Sequence, residues 1–259
     1  MRPPKLKIPH FLRGVRKRDA MTYYDMHSHL LPEMDDGSKS VEMSLKIIDK
    51  LRAQNVNKLC FTPHFYTNEE SIAQFKARRL ESMKKLLPEL PQDIEVCIGA
   101  EVYVTRYLFN NKDLSGITYG GSDYILVEFP FDSHFTDHTM DYIYRLKGNY
   151  GLKPVLTHIE RYHHLMIDEG LVEDLLDEDV IIQTNVGAFK GFAQKRRLLK
   201  YIKRGYIDIV GTDCHSLTRG NPDEYTPTME LIKEKCGREY VDHIIETSEK
   251  IFESGKLNK

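Results

Sequence analysis

The sequence predicts a single α/β domain, a barrel of seven parallel strands. Three observations carry that expectation. Short apolar, β-branched runs alternate with amphipathic segments at a step of about 30 residues, the signature of repeated strand–helix units. The 259-residue length suits one barrel-sized domain, with no repeat, low-complexity tract or interdomain linker. Six of the seven runs end in a histidine or a carboxylate, so polar chemistry is gathered at one end of an apolar wall.

The elements follow in order. A first strand at about 23–27 leads through the loop LLPEMDDG into a helix near 38–54, capped by Ser38 or Ser40, with Val41, Leu45, Ile48 and Leu51 along one side. The run KLCFTPH is strand two, ending at His64. A charged helix over 68–88 is stopped by Pro88 and Pro91. IEVCIGAEVY is strand three and contains Glu101; DYILVEFP is strand four and contains Glu128. After a helix near 137–150, KPVLTHIER supplies strand five and His158. A short acidic helix at 168–178 precedes strand six, VIIQTNVGAF, and a basic helix at 192–204 ends at Gly205, a C′ residue. IDIVGTDCH is strand seven, and helices at about 224–236 and 239–254 close the chain.

Apolar residues at 41% and charged residues at 29% are an ordinary balance for a water-soluble domain, and the apolar runs are strand-length. The chain reads as not membrane-embedded and without a secretory signal. Cys60, Cys97, Cys214 and Cys236 are scattered without CxxC spacing, which argues against a disulfide framework or thiolate zinc site and for a reducing cytoplasm. Net charge is −2, but residues 1–20 hold seven Lys/Arg against one acid, a basic arm of +6 ahead of a domain (21–259) of −8. An acidic domain disfavours nucleic acid as substrate.

The chemistry lies at the strand ends. His27 and His29 in HSH project to one side, as do Asp213 and His215 in DCH, because side chains alternate along a strand. Either pair alone is weak evidence. Nine residues together, His27, His29, Asp36, His64, Glu101, Glu128, His158, Asp213 and His215, are not. Five imidazoles with four carboxylates and no thiolate favour manganese, iron or zinc over magnesium or calcium. Nine ligands exceed what one ion takes, so two or three bridged divalent ions are expected, with Glu101 as the bridge.

Closely spaced divalent ions acidify a bound water and stabilise charge on oxygen during in-line displacement at phosphorus. Arg161, three residues after His158, and Arg219, four after His215, offer guanidinium forks for phosphoryl oxygens. Cys214 and Arg219 are spaced C-x4-R, one short of the thiolate phosphatase loop, and strand alternation turns Cys214 away from the ligands, so it reads as a core cysteine. His134 and His138, in HFTDH without the zincin glutamate, read as surface; His163 and His164 read as pocket rim, and His10 and His243 as incidental. Asn185 ends the ligand-free strand six, and its amide is open to either a metal water or bracing of the rim.

In this order, HSHLLPEMDDG, TPH, GAEVY, VEF, THIERY and TDCH resemble the polymerase-and-histidinol-phosphatase superfamily, and within it the bacterial metal-dependent tyrosine phosphatases of capsular and exopolysaccharide clusters. The resemblance spans about residues 22–220. It implies a distorted TIM-like (β/α)7 barrel, a trinuclear manganese-type site and hydrolysis of phosphotyrosine. It also implies a partner, a membrane-associated bacterial tyrosine kinase with a tyrosine-rich tail. The nine residues above fall on the family's ligand positions, with Asp36 where many superfamily members carry histidine. Arg161 and Arg219 fall on its phosphate-contacting arginines, though the loop before Arg219 is one residue shorter than the pattern. Two other readings compete: a small-molecule phosphatase of the histidinol-phosphate type, and a non-catalytic regulator of the kinase that keeps its metals for stability.

Overall fold

The computed structural model describes residues 22–257; the basic arm expected at 1–20 lies outside them. Strand β1 (Tyr23–Ser28) is buried throughout. Helix α1 (Val41–Arg52) starts at Ser40, whose hydroxyl accepts from Met43 N–H at 3.2 Å. Ser38 is instead folded into the loop, its hydroxyl donating to the Ser40 carbonyl. The buried face of α1 runs through Ser44, Ile47, Ile48 and Leu51, while Val41 and Leu45 lie at its edge. Each buried Ile or Leu there stabilises the packed helix by roughly 1.5–3 kcal/mol.

The expected second and third strands are each broken in two. KLCFTPH becomes β2 (Val56–Phe61) and β3 (His64–Tyr66), either side of Thr62–Pro63. After α2 (Ile72–Leu86), closed by a Ser71/Gln74 capping box and ended by a tight turn through Pro88, IEVCIGAEVY becomes β4 (Glu95–Ile98) and β5 (Glu101–Tyr103). The breaks match across the sheet. Gly99 N–H donates to Phe61 O at 2.9 Å, and Glu101 N–H reaches Thr62 O and Pro63 O at 3.2 and 3.0 Å, so the two runs kink side by side. Proline lacks the N–H that an unbroken ladder needs.

The remaining strands are continuous: β6 (Tyr124–Glu128), β7 (Lys153–Leu156), β8 (Ile181–Asn185) and β9 (Ile209–Gly211). Helix α3 (Asp137–Tyr150) ends at Gly151 in the left-handed region, and the expected acidic helix appears as α4 (His163–Ile167) followed by α5 (Glu169–Asp177). Helices α6 (Phe192–Lys203), α7 (Tyr225–Lys235) and α8 (Arg238–Gly255) complete the outer layer. Past α6, Gly205 has φ 72° and donates to Ile202 O at 2.8 Å, as its place after the helix predicts.

All strand pairings are parallel, in the orders β1-β2-β4 and β3-β5-β6-β7-β8-β9. The kinked runs join these two sheets, so nine segments form seven staves among the described residues. Between the last stave and the first, Asp213 N–H donates to His27 O at 2.8 Å and His29 N–H to Cys214 O at 3.0 Å, which closes the barrel. That approach requires Gly211, where a Cβ would lie 2.6 Å from His27 Cβ. No helix among the described residues is long and apolar enough to cross a membrane.

Candidate metal centre

The carboxyl ends of the staves converge on one cluster. At its floor, His27 Nε2 and His29 Nε2 lie 3.1 Å apart, and Glu101 Oε2 is 3.3 Å from each. Asp213 Oδ1 stands 3.7 and 3.4 Å from the same two nitrogens. The other Glu101 oxygen meets His158 Nε2 at 2.8 Å, and that nitrogen is 3.4 Å from Glu128 Oε1. Toward the surface, His64 Nδ1 is 2.9 Å from Glu101 Oε2, and Asp36 Oδ1 is 3.6 and 3.3 Å from His64 Nε2 and His215 Nε2. All nine residues expected from the sequence thus stand within one chain of close contacts. Glu101 touches four of the imidazoles.

Three donor triads, His29/His64/His215, His27/His29/Asp213 and His64/Glu101/Glu128, each place their ligand atoms within 4.8 Å of one another. They share His29 and His64, so they lie side by side. Within the cluster, Asp213 Oδ1 and His215 Nε2 are buried without a hydrogen bond, and His64 Nδ1 and Glu101 Oε2, though 2.9 Å apart, are not aligned to form one. Each such buried atom costs roughly 1–3 kcal/mol if nothing compensates it. Divalent cations satisfy lone pairs of this kind, and the donor set fits them.

The electrostatics agree. Burial opposes ionisation of Glu101, but His27, His158 and His29 hold its carboxyl well below the ordinary range. Burial works against the charged form of His29 too, yet Asp35 and the facing carboxylates lift its pKa well above the usual value. His158, also opposed by burial, is raised to about 9 by Glu101 and Glu128. Protons on these imidazoles occupy the electrostatic place of a cation, so metal binding is expected to release them. Burial and the nearby His29 push His215 down to about 4, which leaves it neutral at physiological pH.

The backbone carries strain where donors are aimed. His158 (φ 30°) and Asp213 (φ 52°) both adopt left-handed conformations, each at a cost of order 1–3 kcal/mol for a non-glycine residue. His158 N–H is held by Gln183 Oε1 at 2.6 Å, and Gln183 in turn donates to Asn185 Oδ1 at 2.9 Å. Asn185 then donates to Asp213 Oδ2 at 3.0 Å, so its amide braces a donor carboxylate. The ligand-free stave is the strut between its two neighbours.

Asp35 escaped the sequence reading, which took only Asp36 from DDG. Asp35 Oδ2 accepts from His29 Nδ1 at 2.7 Å and from His64 N–H at 2.9 Å, fixing which ring nitrogen of His29 faces the cluster. Adjacent aspartates cannot be assigned from sequence; the pairing depends on where the loop folds. Asp25 was missed as well. It is fully buried, accepts from Thr212 N–H and hydroxyl at 2.8 and 2.6 Å, and burial raises its carboxyl pKa to about 6. The D-x-H-x-H alternation of YYDMHSH is the signal that places it on the same strand face.

Both arginines reach the cluster, each tied to a carboxylate: Arg161 to Asp213 and Arg219 to Asp36. The turn holding Arg219 is closed by its carbonyl, which accepts from His215 and Ser216 N–H at 3.0 and 3.2 Å. Cys214 points into the core, as alternation requires, and burial raises its thiol pKa. The rings of His134 and His164 meet in a tilted contact with centroids 3.9 Å apart, and neither these nor His138, His163 and His243 join a donor triad among the described residues.

A parallel barrel whose carboxyl-terminal rim gathers imidazoles and carboxylates at this density is the architecture of a metal-dependent hydrolase. The chain belongs to the family described as capsular polysaccharide synthesis, CpsB/CapC, whose model matches residues 23–253. It is 30% identical over 229 residues to the tyrosine-protein phosphatase CpsB of Streptococcus pneumoniae, covering 82% of this chain and 90% of that protein. It is 28% identical over 208 residues to the tyrosine-protein phosphatase YwqE of Bacillus subtilis (strain 168), covering 76% and 79%. Among solved structures, those of YwqE from Bacillus subtilis and CpsB from Streptococcus pneumoniae, described as unique metal-dependent tyrosine phosphatases, align with a TM-score of 0.75 at 22% identity, covering 91% of this chain and 96% of that one. A phosphotriesterase homology protein from Escherichia coli, complexed with phosphate in its active site, aligns with a TM-score of 0.57 at 12% identity over 91% and 100% of the two chains. These two likenesses establish the barrel.

Proposed function

We propose that this chain is a metal-dependent tyrosine-protein phosphatase of the CpsB type, acting in capsular polysaccharide synthesis. The observation that carries the reading is the convergence of His27, His29, Asp36, His64, Glu101, Glu128, His158, Asp213 and His215 on one cluster within a chain of this family. In the reading, these nine residues hold two or three divalent ions, manganese first, with iron or zinc as the alternatives. When bound, the ions supply an acidified water and neutralise charge on the phosphoryl oxygens.

The chain's own groups do the rest. Glu101, with both oxygens engaged by imidazoles, spans the cluster and sets the spacing of the triads. Asp35 fixes the His29 tautomer, and the Gln183–Asn185 strut fixes His158 and Asp213. Arg161 and Arg219 exchange their carboxylate partners for phosphoryl oxygens and orient the ester. The Asp36–Arg219 pair is half exposed, its side chains 54% and 53% accessible, and an open rim of this kind suits a tyrosine on a protein better than an enclosed metabolite. The protein substrate is the tyrosine-rich tail of a membrane-associated bacterial tyrosine kinase, met at the cytoplasmic face.

Manganese-loaded protein should release phosphate from a phosphotyrosine peptide, and His158→Ala or Asp213→Ala should abolish the release. Full activity in either variant at saturating metal would overturn the assignment. A higher kcat/KM on histidinol phosphate than on the peptide would shift the reading to a metabolite phosphatase.

A further inference from the structure

Phe131 is an aromatic side chain that packing does not explain. Two residues earlier, Phe129 is buried, its N–H donating to the Tyr162 hydroxyl at 3.0 Å, and its ring packs edge-on against Phe135. A turn follows, with Ser133 N–H bonded to Pro130 O at 2.8 Å, and it presents Phe131 at 46% exposure. The anchored turn holds the Phe131 ring edge-to-face against His158 at 5.7 Å and Tyr162 at 5.9 Å, with the Arg161 guanidinium 5.8 Å from its centroid. An apolar ring is thus displayed beside a polar cluster and a phosphate-gripping arginine. On the other side of Glu101, the ring of His64 is stacked on Tyr66 at 5.4 Å, so each imidazole touching Glu101 from these two sides carries an aromatic neighbour.

We infer that Phe131 is the wall against which the aromatic ring of the substrate stacks, making it the residue that selects aryl over alkyl phosphate esters. The inference rests on the phosphatase reading and deepens it. With the phosphoryl group on Arg161, an ester ring directly attached through oxygen falls beside Phe131, within the 4.5–7 Å centroid range at which aromatic pairs attract. A serine or glycerol phosphate has nothing to place there.

The test separates the two readings by measuring binding as well as turnover. Manganese-loaded full-length protein is titrated calorimetrically with phenylphosphonate and with methylphosphonate, and turnover of a phosphotyrosine peptide is measured in parallel. In Phe131→Ala, phenylphosphonate binding and the peptide KM should worsen roughly three- to tenfold, the span of one aromatic pair. Methylphosphonate affinity and kcat should stay unchanged. Phe131→Trp should keep the phenyl preference and Phe131→Leu should lose it, which separates ring stacking from mere bulk and covers the case in which the alanine variant folds poorly. Equal weakening of both phosphonates, or a leucine variant indistinguishable from wild type, overturns the inference while leaving the phosphatase reading intact. A wild-type protein that binds phosphonates but does not turn over the peptide would refute that reading, and this inference with it.

Discussion

The floor and the rim of the cluster are built on different physics. His27, His29, Glu101 and His158 at the floor are fully buried and Asp213 is 3% exposed, whereas Asp36, Arg161 and Arg219 at the rim have side chains 54%, 36% and 53% accessible. Floor donors come from strand ends, are held by backbone strain and hydrogen-bonded struts, and perturb one another's protonation strongly. Asp36 and Arg219 come from loops and are tethered to each other by an ion pair that water screens to roughly 0–1 kcal/mol, whereas Arg161 leans on the buried carboxylate of Asp213. In the proposed reading the floor sets affinity for cations, and the exposed Asp36–Arg219 pair is where a substrate displaces a partner at little cost.

The largest expected break is Glu101→Gln. It keeps the shape but removes the charge that His27, His29, His64 and His158 share, so metal content by elemental analysis should fall and phosphate release should drop by at least about a thousandfold. Unchanged metal stoichiometry would sink Glu101 as the bridge. Next comes a direct contrast between neighbours. Asp35→Asn, which frees the His29 ring, should weaken metal affinity by about 10–100-fold, while the half-exposed Asp36→Asn should weaken it less. Metal titration of both variants decides which aspartate of DDG matters more. The reverse order would mean that Asp36 belongs to the floor.

At the rim, Arg219→Ala should raise the KM for a phosphotyrosine peptide by about tenfold with kcat little altered, because a positioning contact is lost and the floor is untouched. A fall in metal content would contradict the separation of floor from rim. The smallest effect lies away from the cluster, at His243. His243 Nε2 donates to the Asp208 carboxylate 3.2 Å away, which raises the imidazole pKa above its ordinary value, so its stabilisation is present below the unfolded pKa near 6.5 and disappears as pH rises past the folded one. With the His243 side chain 47% exposed, His243→Gln should cost at most ~0.5 kcal/mol at pH 5.5 and nothing at pH 9 in thermal melts.

Much of the floor was legible in the chain. Period-two alternation puts His27 beside His29 and Asp213 beside His215 whatever surrounds them, and the constant strand–helix step predicts a parallel barrel with those ends on one side. The kinks at Thr62–Pro63 and Gly99–Ala100 were less legible. Pro63 and Gly99 mark a weak point in each run, but only the neighbouring stave, breaking at the same level, shows that His64 and Glu101 open a new segment. Asn185 was legible only as an open choice between a metal water and a brace, and Gln183 carried no signal, since a strut is defined by the two donors it spans.

Strand alternation and the order of staves were settled by the chain itself, since they depend only on local backbone geometry and on which residues seek burial. Which oxygen meets which nitrogen, which aspartate of a pair orients a ring, and which arginine leans on which carboxylate were decided by the closed barrel. Those contacts join residues as far apart as Asp36 and Arg219, or Asp25 and Thr212, whose separation along the chain says nothing of their distance in space.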